Sequence, residues 1–177
     1  MIHYFKYKNK IRKFFIYFFV VGFGLITLPQ FSTAQKKSQS NSKRAFFKNL
    51  VDSSNFIFRA QSVMPLRGQY RNLTSSYDVK VTKDTLRSYL PYFGRAFSAV
   101  YNETKSVLDF KSTNFSYTVS RHKKSGWDIV IVPKDNSDVQ KYFFTVYDNG
   151  AATLNVTCTS RDAISFNGIV AQRKSKR

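Results

Sequence analysis

From Phe56 to Val170, apolar residues recur at every second position in run after run. This period of two is what most constrains the fold of the 177-residue chain. Side chains alternate faces along a strand, so the pattern marks strands buried on one side. Phe56, Phe58 and Ala60 alternate with Ile57, Arg59 and Gln61, until Pro65 and Gly68 break the run. Further alternating sets are Tyr77, Val79 and Val81; Phe115, Tyr117 and Val119; and Trp127, Ile129 and Ile131. Residues 142–147, then Leu154, Val156 and Cys158, and finally Ile164, Phe166 and Val170 continue the pattern, with Gly168 interrupting the last run. Lys123-Lys124-Ser125-Gly126 reads as a hairpin turn. Asp148-Asn149-Gly150 predicts a second hairpin with a type I′ turn, because Asn-Gly accepts the positive φ angles that this turn needs.

The connections are short and no long helices alternate with strands, which argues against a parallel sheet. The expected fold is α+β and mostly antiparallel β: a six- or seven-stranded curled sheet, either a sandwich or a partial barrel, with a short N-terminal helix. Asn41 or Ser42 would cap that helix, which runs to about Ser53 and gathers Phe46, Phe47, Leu50 and Val51 on one side. The 18 Phe and 11 Tyr supply large side chains for the inner face of the sheet.

The N-terminus has a different character. Five cations and no acid precede the uncharged run Phe14-Phe-Ile-Tyr-Phe-Phe-Val-Val-Gly-Phe-Gly-Leu-Ile-Thr-Leu28, and small residues end at Ala34. A basic start, a short apolar middle and a small-residue exit describe a signal peptide over 1–34. The run is shorter than the roughly 20 residues of a spanning helix, so no transmembrane segment is expected after cleavage. The remaining organisation reads as a basic flexible linker at 35–44, a single β-rich domain at 45–171 and a basic tail at 172–177. Loss of the leader lowers the net charge from +19 to +14, and the linker and tail hold eight of the 24 cations that remain. With the excess on the flanks of an exported chain, nucleic acid is not expected as a partner. The excess reads either as solubilising charge with no partner or as weak attraction of the flanks to anionic envelope components (lipid, lipopolysaccharide or glycan).

Several chemistries lack their residues. A single Cys precludes an internal disulfide and a cysteine-built metal site. Beyond the leader only His122 remains, beside Lys123 and Lys124, where it reads as a turn residue. No Gly-x-Ser-x-Gly elbow and no phosphate-binding glycine loop occur. Cys158 shares the alternating face of Leu154 and Val156 and reads as a small buried apolar residue. Asp135-Asn136-Ser137-Asp138 lacks the final Glu of a calcium loop and reads as a plain turn. Hence no catalytic residue, metal site or cofactor is expected.

Residues 84–97 carry the candidate site. Asp84 is expected to cap a helical turn holding Leu86 and Leu90, which Pro91 ends. Tyr92, Phe93 and Arg95 follow in a compact aromatic loop. They are the candidate ligand-binding residues, two rings for stacking on a flat ligand or sugar and a guanidinium for a carboxylate or phosphate. The competing reading is that the loop plugs one end of the sheet and Arg95 pairs with a core acid. The run Leu90-Pro-Tyr-Phe-Gly-Arg-Ala96 resembles the hallmark of the domain-of-unknown-function 4251 family, DUF4251, small exported proteins of Bacteroidota. Phe56, Phe58, Ala60 and Pro65, then Leu108-Asp-Phe110, Asn149-Gly-Ala151, and Arg161 with Ile164-Ser-Phe-Asn-Gly168 fit the same pattern over 45–169. The resemblance implies export and a β-rich domain and carries over no catalytic residue.

The expected function is therefore an exported, periplasmic or secreted, non-enzymatic envelope module that binds an envelope component or partner protein. A carrier of lipid or a small apolar ligand, and a hydrolase of envelope glycan or lipid, are the alternatives. The carrier requires a hollow barrel. The hydrolase requires two facing carboxyls, for which Asp109 with Asp128 is a possible pair, or His122 with a nucleophile.

Overall fold

The structure, a computed structural model, describes residues 31–97 and 105–173, with side chains from residue 39 onward. The basic start and apolar run of the expected leader lie outside the described residues, as do positions 174–177 of the expected tail. Helix α1 (Phe31–Asp52) leads into strands β1 (Phe56–Pro65), β2 (Arg71–Val81), β3 (Leu86–Tyr89), β4 (Asp109–Ser112) and β5 (Phe115–Arg121). Strands β6 (Trp127–Pro133), β7 (Val139–Val146), β8 (Ala151–Cys158) and β9 (Ile164–Gln172) complete the chain. Residues from Ser40 onward form one compact unit. No helix among the described residues is long and apolar enough to cross a membrane.

All nine strands belong to one antiparallel sheet in the order β4-β3-β2-β1-β9-β8-β7-β6-β5. Its two outermost strands are consecutive in the chain, joined only by Thr113 and Asn114. With nine alternating strands, β4 and β5 point the same way. Residues 109–121 are therefore one kinked extended stretch, whose first part pairs with β3 and whose second part pairs with β6. The sheet thus returns on itself as a nearly closed barrel, which shortens the free edges an open sheet would expose. Asp135, in the β6–β7 connection, holds the kink by accepting hydrogen bonds from the Ser112 hydroxyl and the Thr113 and Asn114 amides. Those bonds, with Ser112 contributing most, keep its carboxyl below the usual range.

Contacts across the interior prove the curl. The Tyr142 hydroxyl in β7 donates to Ser88 Oγ in β3 at 2.8 Å. These strands stand five places apart, about 24 Å in a flat sheet. Phe144 in β7 meets Phe56 and Phe58 in β1 edge to face, with ring centroids 5.9 and 5.5 Å away. Phe110 in β4 lies 6.2 Å from the Tyr142 ring. Phe56, Phe58, Tyr142, Phe144, Phe166, Ile129, Ile131 and Leu154 are fully buried, so aromatic and branched side chains pack in the interior.

Three expectations about elements are corrected, the third being the start of helix α1. The strand count is nine rather than six or seven, because β3 and β4 were hidden. Residues 86–89 form a strand where a helical turn was expected: Leu86 and Ser88 face inward and pair with Val81 and Val79. Asp84 accepts from the Thr82 hydroxyl within the β2–β3 turn. The second correction concerns the Asp148-Asn149-Gly150 hairpin. Only Gly150 has a positive φ there, +86°, so the turn is not type I′. The Gly150 amide donates to Tyr147 O and the Tyr147 amide to Ala151 O, which defines a three-residue loop with glycine in the left-handed position.

Helix α1 begins about ten residues before the expected cap, so residues 35–44, expected as a flexible linker, lie within it. Its C-terminal part closes one end of the barrel. Leu50 and Val51 are buried, and the Tyr117 hydroxyl donates to Val51 O at 2.7 Å. The Phe47 ring rests on Gly150 where a Cβ would collide, and Arg44 pairs with Asp148 at 3.6 Å.

Candidate functional site

Residues 90–97, which hold the aromatic loop, lie across the other end of the barrel. Tyr92 Oη lies 2.8 Å from Asp162 O and 3.1 Å from Arg95 O, and its single proton serves these two carbonyls. The Asp162 amide donates to Arg95 O, and the Phe97 amide donates to Ser160 O. Ala96 and Arg161 form an isolated β-bridge. Residues 90–97 are thereby laced to the β8–β9 connection by their backbone. Burial, ahead of nearby negative charge, pushes the Tyr92 phenol up to about 12, so the ring stays neutral.

The three candidate residues sit differently. Tyr92 is half-buried, whereas Phe93 and Arg95 face solvent. Arg71 stacks over Phe93 at 5.1 Å. The cation placed inside is Arg161 rather than Arg95. Arg161 is 8% exposed, lies over the Tyr92 ring at 5.5 Å and donates from Nε to Asp138 Oδ2 at 3.0 Å. Asp138 also accepts from the Ser160 hydroxyl at 2.7 Å. Burial alone would raise the Asp138 carboxyl. The bonds from Ser160 and Arg161 outweigh it and hold the carboxyl below its usual value.

Because β3 stops at Tyr89, it covers only Asp78–Val81 of β2, and a cleft of about 490 Å³ opens beyond its end. Tyr77, Tyr89 and Tyr92 line it with Pro91, and Lys105, Arg161 and Asp109 supply charge. The Tyr77 and Tyr89 rings lie 5.4 Å apart at 35°. Arg161 is already engaged by Asp138, so Lys105 is the cation that suits an anionic group beside a ring. Sequence reasoning found Tyr92 but missed Tyr77, Tyr89, Lys105 and Arg161. Their convergence depends on where a short strand ends, and no local pattern encodes that.

Of the residues weighed for catalysis, the structure brings His122 and Asp128 together and sets Asp109 elsewhere. Asp109 lines this cleft, whereas Asp128 is held by His122 Nδ1 at 2.9 Å and by the Thr145 hydroxyl. Among the described residues no three His, Cys, Asp or Glu side chains are placed to hold a metal ion. Asn136 Oδ1 accepts the Asp138 and Val139 amides, which makes residues 135–138 a turn. Cys158 is buried, and desolvation, followed by the charge of Asp138, lifts its thiol to about 11. A disulfide reagent at pH 8 is expected to leave the folded protein unlabelled over minutes and to label one thiol in denaturant. Rapid labelling of the native protein would contradict this burial.

The family model for Domain of unknown function (DUF4251) matches residues 38–170. A crystal structure of a DUF4251 family protein from Bacteroides eggerthii DSM 20697 superposes with a TM-score of 0.54 at 16% identity, covering 74% of this chain and 88% of that one. At that identity the likeness is one of fold. No curated protein matches the chain.

Proposed function

The chain belongs to the DUF4251 family, and on that premise we propose that it is an exported, non-catalytic envelope module that binds a ring-bearing anionic ligand. The ligand class is a sugar or aryl ring with an acidic substituent. One observation carries the reading: the tyrosine-lined cleft with Lys105 and Arg161 at its walls. The ring would stack on Tyr77 and Tyr89, and the acid would meet Lys105, while Arg161 keeps Tyr92 in place. The leader-like N-terminus supports export to the periplasm or beyond, and the basic flanks add attraction to anionic envelope components.

Titrating the full chain with N-acetylmuramic acid, and with neutral N-acetylglucosamine for comparison, tests the cleft by NMR. The acid is expected to shift Tyr77 and Tyr89 resonances at lower concentration than the neutral sugar. Tyr89→Ala is expected to weaken binding about tenfold, the value of one good ring contact. Unperturbed tyrosines with both sugars, or equal response to both, would sink the reading.

A further inference from the structure

The loop-bearing end of the barrel presents apolar side chains to solvent. Leu66 is 66% and Phe97 64% exposed, and Met64, Tyr70 and Phe93 are exposed with them. Five of the nine exposed large hydrophobics among the described residues therefore fall in two segments, 64–71 and 93–97. Scattered exposed apolar residues need no explanation, whereas a concentration of them marks an interaction surface.

The two segments are held side by side. The Leu66 amide donates to Ala163 O, and Arg95 O and the Phe97 amide bond to Asp162 and Ser160, so both segments flank the same β8–β9 connection. Arg71 of the first segment covers Phe93 of the second. Arg67, Arg71 and Arg95 are exposed, and neither segment contains an acid. Nearby, Asp162 is buried and Asp138 is engaged by Ser160 and Arg161. Leu66 adjoins Arg67, Tyr70 adjoins Arg71, and Phe93 and Phe97 stand two places from Arg95.

We propose that this rim docks on an anionic lipid bilayer. Leu66, Tyr70, Phe93 and Phe97 enter the boundary between headgroups and acyl chains, while the three arginines hold lipid phosphates. An apolar side chain within two residues of each cation matches a surface where phosphate and hydrocarbon lie a few ångströms apart. The charge complementarity of an acid-free rim selects an anionic surface. This proposal goes beyond the cleft reading and does not depend on it, and it is separate from the basic flanks.

The full chain carrying Phe97→Trp, and separately Leu66→Trp, places a reporter on the rim. The native Trp127 is buried in β6, and its signal in the parent chain is subtracted. Vesicles of phosphatidylcholine with phosphatidylglycerol are expected to shift both reporters to the blue, with quenching by brominated lipid. Pure phosphatidylcholine is expected to do neither. Adding Arg67→Gln, Arg71→Gln and Arg95→Gln is expected to raise the lipid needed for half the shift about a hundredfold. Four results would overturn the proposal: no shift at either position; an equal shift with neutral vesicles; a triple variant that binds as before; or a shift on raising protein concentration without lipid, which would mean that a second copy covers the rim.

Discussion

Replacing Phe144 by alanine is expected to cost about 3–5 kcal/mol of folding stability. The ring is fully buried and touches Phe56 and Phe58 edge to face and Tyr142 in a stack at 6.3 Å. It bridges β7 to β1 across the interior, so its removal empties the place where the two walls meet. The neighbours are held by strand pairing on both sides, which leaves them little freedom to collapse into the void. A loss of that size is a large share of the 5–15 kcal/mol typical of a small domain. Urea unfolding checks it: the midpoint should fall at unchanged slope, and Phe144→Leu should recover most of the difference. If Phe144→Ala unfolds within 1 kcal/mol of the parent, the packed interior described above is wrong.

The second large effect is expected at Asp138. Its carboxylate ties the β6–β7 connection to the β8–β9 connection through Ser160 and the buried Arg161. Asp138→Ala removes an acceptor from a guanidinium that is 8% exposed, at a cost of about 1.5–3 kcal/mol. Loosening of Arg161 would reach the ring it stacks on, so Tyr92 and the loop end should gain mobility before the helix end does. The pH dependence has a definite sign. The Asp138 carboxyl is depressed in the folded state, so its contribution is fully present above the unfolded value near 3.9 and is lost as pH falls through the lower folded value. Asp138→Asn should flatten that part of the acid limb. An unaltered limb in the variant would show that Arg161 does not depend on this carboxylate.

Seven of the nine strands were legible because alternation is a local property of the chain. Phe115, Tyr117 and Val119 announce β5 without reference to any neighbour. The two missed strands have four residues each, and Ser88 and Ser112 occupy inward positions where a hydrophobic residue would have completed the pattern. Those serines are hydrogen-bonded inside by Tyr142 and Asp135, which are distant in sequence. The hairpin at Asn149-Gly150 was located correctly from its residues. Its turn type was not, because loop length depends on which residues of β7 and β8 pair. In the site, Tyr92 stood out within an aromatic loop, while the sequence left Arg95 either holding a ligand or pairing with a core acid. Arg161 takes that second role because the β8–β9 connection folds beneath the loop.

What the sequence by itself determined is the set of strands that alternate cleanly, the turns between them, the antiparallel class, and a domain without the residues for cysteine-built metal sites. Those are consequences of side-chain spacing and composition, which act over a few residues. Only the tertiary structure decided that the sheet closes, that β4 and β5 are two parts of one bent stretch, and that three tyrosines and two cations share a cleft. Closure and convergence depend on contacts between residues far apart in the chain, such as Tyr142 with Ser88, and no local period carries that information.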